Sequence, residues 1–259
     1  SDMDDALWLK LANRIQTAVD AEDVAGVVIT HGTDTMEETA FFLNLVVKTR
    51  KPIVLVGAQR PATAISADGP MPLYTAVAAA AHPAMAGRGV LVVANDEIHF
   101  AREVTKTNTT QVGTFRATHR GLAGLVNAGR VHLYAPPVRR HTAESEFAGV
   151  FPSTLPRVDI VYAHAGMSGN LIDAAVQAGT CGIVIAGVGD GNLGSAALAA
   201  ATAAAKKGIA IVRSSRTGGG VVERNIEIDD DQLGFIVADE LNPPKARVLL
   251  MLGLTRTRN

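Results

Sequence analysis

Two spacings of apolar residues alternate along this chain. Between Ala6 and Val19, Leu7, Leu11, Ile15 and Val19 fall four apart, which predicts a helix with one buried face and Asp4 or Asp5 near its start. Val24 to Thr30 follows as a β-favouring run. It enters the polar turn His31-Gly32-Thr33-Asp34-Thr35, after which Met36, Ala40, Leu43 and Val47 recur at helical intervals. Pro52 to Val56 and Gly89 to Ala94 read as further short strands, with a small-residue helix from Tyr74 to Ala81 between them that Pro83 ends. Strand and helix in alternation predict a parallel sheet with helices on both faces.

The rhythm changes after Asn95. No good helix is expected up to Tyr134, and β-rich pieces such as Thr110 to Thr118 and Arg130 to Tyr134 read as hairpin-like additions at the edge or end of the sheet. Pro136 to Pro156 is polar and rich in Pro, Arg, Glu and Ser, the composition of a linker. Alternation then resumes: strands Val158 to Ala163, Gly182 to Ala186 and Ile209 to Ser214, helices Asn170 to Gln177 and Leu193 to Lys206, and a last helix starting at Asn242-Pro243. The predicted class is α/β with two domains. A larger N-terminal parallel-sheet domain of flavodoxin- or Rossmann-like kind (1–138) is joined by a linker (139–156) to a smaller C-terminal α/β domain (157–259).

Composition narrows the function classes. With 24 basic and 25 acidic residues the chain is nearly neutral, which argues against nucleic acid or an anionic membrane as main partner. A single cysteine, Cys181, excludes an internal disulfide framework; it precedes an apolar strand and reads as a buried small residue rather than a nucleophile. No apolar run reaches the roughly eighteen residues of a membrane helix. The seven histidines are scattered, with no H-E-x-x-H, so no metal site is expected.

Three places could carry chemistry. Thr33 and Asp34 set a hydroxyl beside a carboxylate where a strand ends and a helix begins, the position at which α/β sheets bind ligands, although both residues could equally serve as helix caps. Lys106 stands among hydroxyls in Val104-Thr105-Lys106-Thr107-Asn108-Thr109-Thr110. On a surface it would simply be solvated; buried near an acid it can take a proton or anchor charge, and with Thr33 and Asp34 it would form a set suited to activating a nucleophile or water. Gly189-Asp190-Gly191-Asn192-Leu193-Gly194 fits the dinucleotide fingerprint. The next strand, however, ends in Arg213-Ser214-Ser215 where a ribose-binding acid belongs, so the plainer reading is a tight turn presenting Asn192.

VVITHGTDTM (Val27 to Met36) resembles the second signature of the bacterial-type L-asparaginases, the asparaginase/glutaminase family. VGAQRP, SADGP, RGVLVVAND, VTKTNTT, AGVGDGN, IVRSSR and LNPPKAR match in order along nearly the whole chain, and VTKTNTT is closer in wording to the type II branch than to the cytoplasmic one. The resemblance implies an amidohydrolase that converts L-asparagine to L-aspartate and ammonia by threonine-based nucleophilic catalysis. It implies no cofactor, a homotetramer built as a dimer of dimers, and a periplasmic or secreted location. Thr33, Asp34 and Lys106 match the catalytic set. Ser1, Gly32, Thr33, Asp34, Ala58, Asn192 and Glu227 match substrate-binding positions, the last two reaching the site of a neighbouring subunit. A glutaminase-asparaginase, or a catalytically dead binding protein, is the alternative.

The same resemblance leads to an expected preceding segment with a Thr-Gly-Gly-Thr-Ile stretch. That segment supplies the usual nucleophilic threonine, a nearby tyrosine and the first strand of the sheet. Thr217-Gly218-Gly219-Gly220 does not match it in place or context, and a natural protein heavier than 27.0 kDa is expected.

Overall fold

The structure is a computed structural model that describes residues 2–256. It divides into two compact units, residues 1–154 and 155–259.

In the first unit, α1 (Asp5–Asp20) is capped by Asp4, whose side chain accepts the Leu7 N–H at 2.7 Å. Ile15 and Val19 are buried as expected, but in the first half of the helix Trp8 and Ala12 take the places expected for Leu7 and Leu11, and Leu7 is exposed. The indole decides the rotation, because Trp8 stacks on Phe42 at 5.3 Å and donates Nε1–H to Thr39 Oγ1 at 2.8 Å. The next helix, α2 (Met36–Val46), is buried on every side except at Glu38, as a helix apolar around most of its circumference must be. Truncating Phe41 or Phe42 in such a core costs about 3–5 kcal/mol.

The sheet order is β1 (Val27–Thr30), β2 (Ile53–Val56), β3 (Val90–Ala94), β4 (Glu97–Phe100), β7 (Gly124–Asn127) and β8 (Arg130–Leu133). The first three strands run parallel, with Val27 opposite Ile53 and Ile53 opposite Val90. β4, β7 and β8 then continue antiparallel, which matches the expected hairpin-like additions. Helix α3 (Pro70–Ala81) packs Ala76 and Ala79 against Val54, Val56, Leu91 and Val93. It begins four residues before the predicted Tyr74, because Pro70 in the first turn needs no N–H partner.

A separate ribbon of β5 (Val104–Lys106) and β6 (Phe115–Ala117) pairs Lys106 with Phe115. Its β content is much shorter than the predicted Thr110 to Thr118: the Thr114 hydroxyl accepts the Asn108 N–H and donates to the Asn108 carbonyl, closing a loop instead. Within the stretch read as a linker, Thr142 and Phe147 are buried and Thr142–Glu144 forms a 3-10 turn.

The second unit holds a fully parallel sheet in the order β12 (Phe235–Val237), β11 (Ala210–Ser215), β10 (Gly182–Gly187) and β9 (Val158–Tyr162). Ile183 and Ile185 point to one face, where Ile172 of α4 (Asn170–Gln177) and Ala197 and Ala201 of α5 (Ser195–Lys206) cover them. Helix α7 (Pro243–Gly253) packs on β9, β10 and β11, and its cap Asn242 accepts the Lys245 N–H at 3.1 Å. The short α6 (Asp230–Leu233) and β12 were not foreseen, since three or four residues carry no readable period. Cys181 corrects its expected burial: it is exposed, because it stands in the turn before β10 rather than on the strand. No helix among the described residues is long and apolar enough to cross a membrane.

Candidate active site

At the C-terminal end of β1 the chain leaves the sheet at His31, whose N–H still bonds the Val56 carbonyl at 2.9 Å. Thr33 and Asp34 then precede α2, whose N-cap position is Thr35. The Thr35 side chain makes no capping hydrogen bond there. Thr33 and Asp34 are occupied by Lys106. The lysine Nζ donates to Thr33 Oγ1 at 3.0 Å and to Asp34 Oδ1 at 2.7 Å. Thr33 is buried, the lysine side chain is 15% exposed and the aspartate side chain 64% exposed, so the cluster sits at a surface with the lysine beneath it.

What brings Lys106 here is a second contact made by its backbone. Glu37, buried in the first turn of α2, accepts the Lys106 N–H at 2.5 Å. No local signal in the sequence distinguishes Glu37 from the half-buried Glu38 next to it.

Gly32 is held by a relay that starts in the core. Trp8 donates to Thr39 Oγ1, that hydroxyl donates to His31 Nε2 at 3.0 Å, and His31 Nδ1 lies 2.6 Å from the Gly32 carbonyl. A ring nitrogen facing a carbonyl must carry the proton, so the relay assigns the Nδ1–H tautomer. Ala58 is placed by the pairing of two sequence blocks: Asp68 of SADGP accepts the N–H groups of Gln59 and Arg60 of VGAQRP at 3.0 and 2.8 Å. Asp68 is thus a further site-building residue that sequence reading quoted but gave no role.

An open hollow of about 390 Å³ lies over these elements, lined by Thr30, His31, Gly32, Gly57, Ala58, Gly69 and Leu73 among others. Its floor is crowded. A side-chain carbon at Gly57 would stand 2.3 Å from the His31 carbonyl oxygen, 2.6 Å from Met36 Cε and 3.1 Å from Thr33 Cγ2, so only glycine fits. A separate cavity of about 60 Å³ is lined by Phe41, Arg88, Phe100, Glu103 and Arg120 among others; Thr33, Asp34 and Lys106 line neither it nor the hollow, and Gly32 next to Thr33 is what joins the hollow to the cluster.

The second unit brings together two other expected residues. The turn 189–192 closes through paired backbone bonds between Val188 and Asn192, and Asn192 Nδ2 donates to a carboxylate oxygen of Glu227. Ser1 lies outside the described residues. Among the described residues, no group of three or more His, Cys, Asp or Glu side chains is arranged to hold a metal ion.

A hydroxyl, an amine and a carboxylate within hydrogen-bond reach form the arrangement that nucleophilic or acid–base catalysis on a carbonyl requires. Comparison with known proteins identifies the family of the chain. The family model described as Asparaginase, N-terminal, matches residues 1–139, and that of the Glutaminase/Asparaginase C-terminal domain matches residues 157–259. The chain is 50% identical over 258 residues to a protein named L-asparaginase 2 from Escherichia coli (strain K12), covering 100% of this chain and 74% of that one. It is 48% identical to the "Probable L-asparaginase periplasmic" of Haemophilus influenzae (strain ATCC 51907 / DSM 11121 / KW20 / Rd), covering 100% of this chain and 73% of that one. It is 45% identical to the "Glutaminase-asparaginase" of Pseudomonas fluorescens biotype A, covering 97% and 69% respectively. Two family models in sequence along a fold with the Thr33–Asp34–Lys106 cluster at its sheet end lead to one conclusion: the chain belongs to the asparaginase family.

Proposed function

We propose that the protein is an L-asparaginase, hydrolysing the side-chain amide of L-asparagine to L-aspartate and ammonia. The observation that carries the reading is the double hydrogen bond from Lys106 Nζ to Thr33 and Asp34. A threonine hydroxyl adds to the amide carbon, the C–N bond breaks with a proton delivered to nitrogen, and water then cleaves the acyl ester to regenerate the hydroxyl. Thr33 stands beside the scissile amide. Lys106 relays the hydroxyl proton to the leaving nitrogen, a step that typically contributes 10²–10⁴-fold. Asp34 orients Lys106 and offers a negative charge to the substrate's α-ammonium, while Gly32 and Ala58 present backbone to the amide.

In this reading the working form is a homo-oligomer, a tetramer built as a dimer of dimers, and Asn192 and Glu227 complete the site of an adjacent chain. Glu227 and Asp34 would then share one ammonium, which offsets the repulsion between the two acids. The relative named periplasmic supports a periplasmic location. The relative named glutaminase-asparaginase supports a second reading in which L-glutamine is also a substrate. Ammonia release from L-asparagine and L-glutamine, measured side by side on the full-length protein, tests both readings. Release from L-asparagine alone selects the first, and comparable release from both selects the second. Release from neither, on folded protein, would leave a catalytically dead binding protein.

A further inference from the structure

The second unit buries a complete guanidinium. Arg213 on β11 and its partner Asp230 both have side chains 0% exposed. Two parallel bonds join them, Nε to Oδ1 at 2.6 Å and Nη2 to Oδ2 at 2.7 Å. The remaining donors reach past the pair. Nη1 donates to the Asp190 carbonyl at 2.8 Å, and Nη2 also donates to the Glu223 carbonyl at 3.0 Å. The connections close on themselves, since Asp190 accepts the Glu223 N–H at 2.9 Å and Asp230 accepts the Asn225 N–H at 3.0 Å. One cation therefore ties the glycine turn at 189–192 to the loop at 223–231.

These two segments carry Asn192 and Glu227. Asn192 lies two residues beyond Asp190, Glu227 lies three before Asp230, and their side chains are bonded to each other. The turn is pressed onto the arginine: Gly191 has φ +71°, and a side-chain carbon there would stand 2.9 Å from Val222 Cγ1 and 3.3 Å from Arg213 Nη1. A buried ion pair adds little net stability compared with apolar residues of the same volume, so stability alone does not account for a charge here. A planar fork that addresses several acceptors at fixed angles does, and lysine cannot reproduce it.

We propose that Arg213 is a positioning residue: without touching substrate, it fixes Asn192 and Glu227 relative to each other and so shapes the ammonium-binding part of the site. The proposal rests on the reading that these two residues meet the substrate. The test is steady-state hydrolysis of L-asparagine by full-length Arg213→Lys, Glu227→Ala and the double variant, with folding checked by thermal melting and oligomer size. Arg213→Lys should raise KM about tenfold or more while kcat falls by less than about threefold, the split expected when only substrate binding is disturbed. In the Glu227→Ala background the same change should raise KM by a clearly smaller factor, because only the placement of Asn192 remains to be lost.

An unchanged KM in Glu227→Ala alone would remove the underlying reading, whatever Arg213 does. If Glu227→Ala raises KM but Arg213→Lys does not, or does so by the same factor in both backgrounds, Arg213 is not acting through Glu227 and the proposal is overturned. Should Arg213→Lys fail to fold, Asp230→Asn, which keeps the shape and one of the two acceptor oxygens, is held to the same outcomes.

Discussion

The amine of Lys106 lies 2.7 Å from a carboxylate oxygen of Asp34, across 72 positions of sequence. The contact is made at the edge of the fold, where the lysine is nearly covered and the aspartate is open to solvent. Such an ion pair contributes only about 0–1 kcal/mol to stability, so its removal should be read in catalysis rather than in folding. Lys106→Met should lower kcat by about 10²–10⁴-fold with the melting temperature little changed. Near-normal turnover in folded Lys106→Met would return the lysine to an ordinary surface role.

Glu37 extends the same logic into the core. It is the buried acceptor for the Lys106 backbone N–H, so Glu37→Ala leaves that donor without its partner. A loss of about 1–3 kcal/mol is expected in urea unfolding, together with a fall in kcat as β5 shifts. Glu37→Gln keeps an acceptor oxygen and should recover most of both. Equal losses in the two variants would show that charge, not the hydrogen bond, is what matters at this position.

The shared-site proposal predicts complementation. Thr33→Val protein, inactive alone, and Glu227→Ala protein, impaired at low substrate concentration, should together show more activity after co-refolding than the sum of the two, since a mixed oligomer contains sites with both native residues. Absence of recovery, with mixed oligomers demonstrated by mass, means that each chain builds its site unaided.

Acid should weaken the second unit through Asp230. Burial pushes this carboxyl up; the hydrogen bonds from Arg213 and the Asn225 N–H, with the arginine's charge, outweigh that and hold its pKa below the ordinary value. A group depressed in the folded state stabilises it fully above the unfolded pKa of about 3.9 and loses that contribution as pH falls through the folded value. Native protein should therefore exceed Asp230→Asn in stability by a constant margin above about pH 5, and the margin should shrink on further acidification. A margin that instead grows towards acid would reverse the assigned direction.

The parts that were legible in sequence are those made within one short stretch. Val27 to Val46 announces strand, turn and helix because each piece has its own period and the pieces are contiguous. Lys106 carries no local sign of its partners; its chemistry allowed a grouping with Thr33 and Asp34 if it were buried near an acid, and the family resemblance made that grouping specific. Asp230 is hidden for a different reason. It stands in Asp229-Asp230-Asp231, a run that reads as solvated, yet it is the member that is fully buried, because one arginine on an apolar strand selects it. Leu7 and Trp8 show the same limit on a smaller scale. Four-residue spacing ranked them by hydropathy alone, and the indole's hydrogen bond to Thr39 turned the helix.

Gly57 separates what in this hollow can change from what cannot. Because the His31 carbonyl and the Met36 side chain already occupy the space a substituent would need, position 57 in the floor admits no side chain. The rim is permissive: nothing lies within 4 Å of where a side chain at Gly32 would begin, and at Gly69 the nearest atom is Ala58 Cβ at an ordinary 3.6 Å. Mutational drift and directed evolution therefore have room to reshape the mouth of the hollow while the backbone beneath Thr33 stays fixed, so new substrate preferences can be explored without disturbing the atoms that perform the reaction.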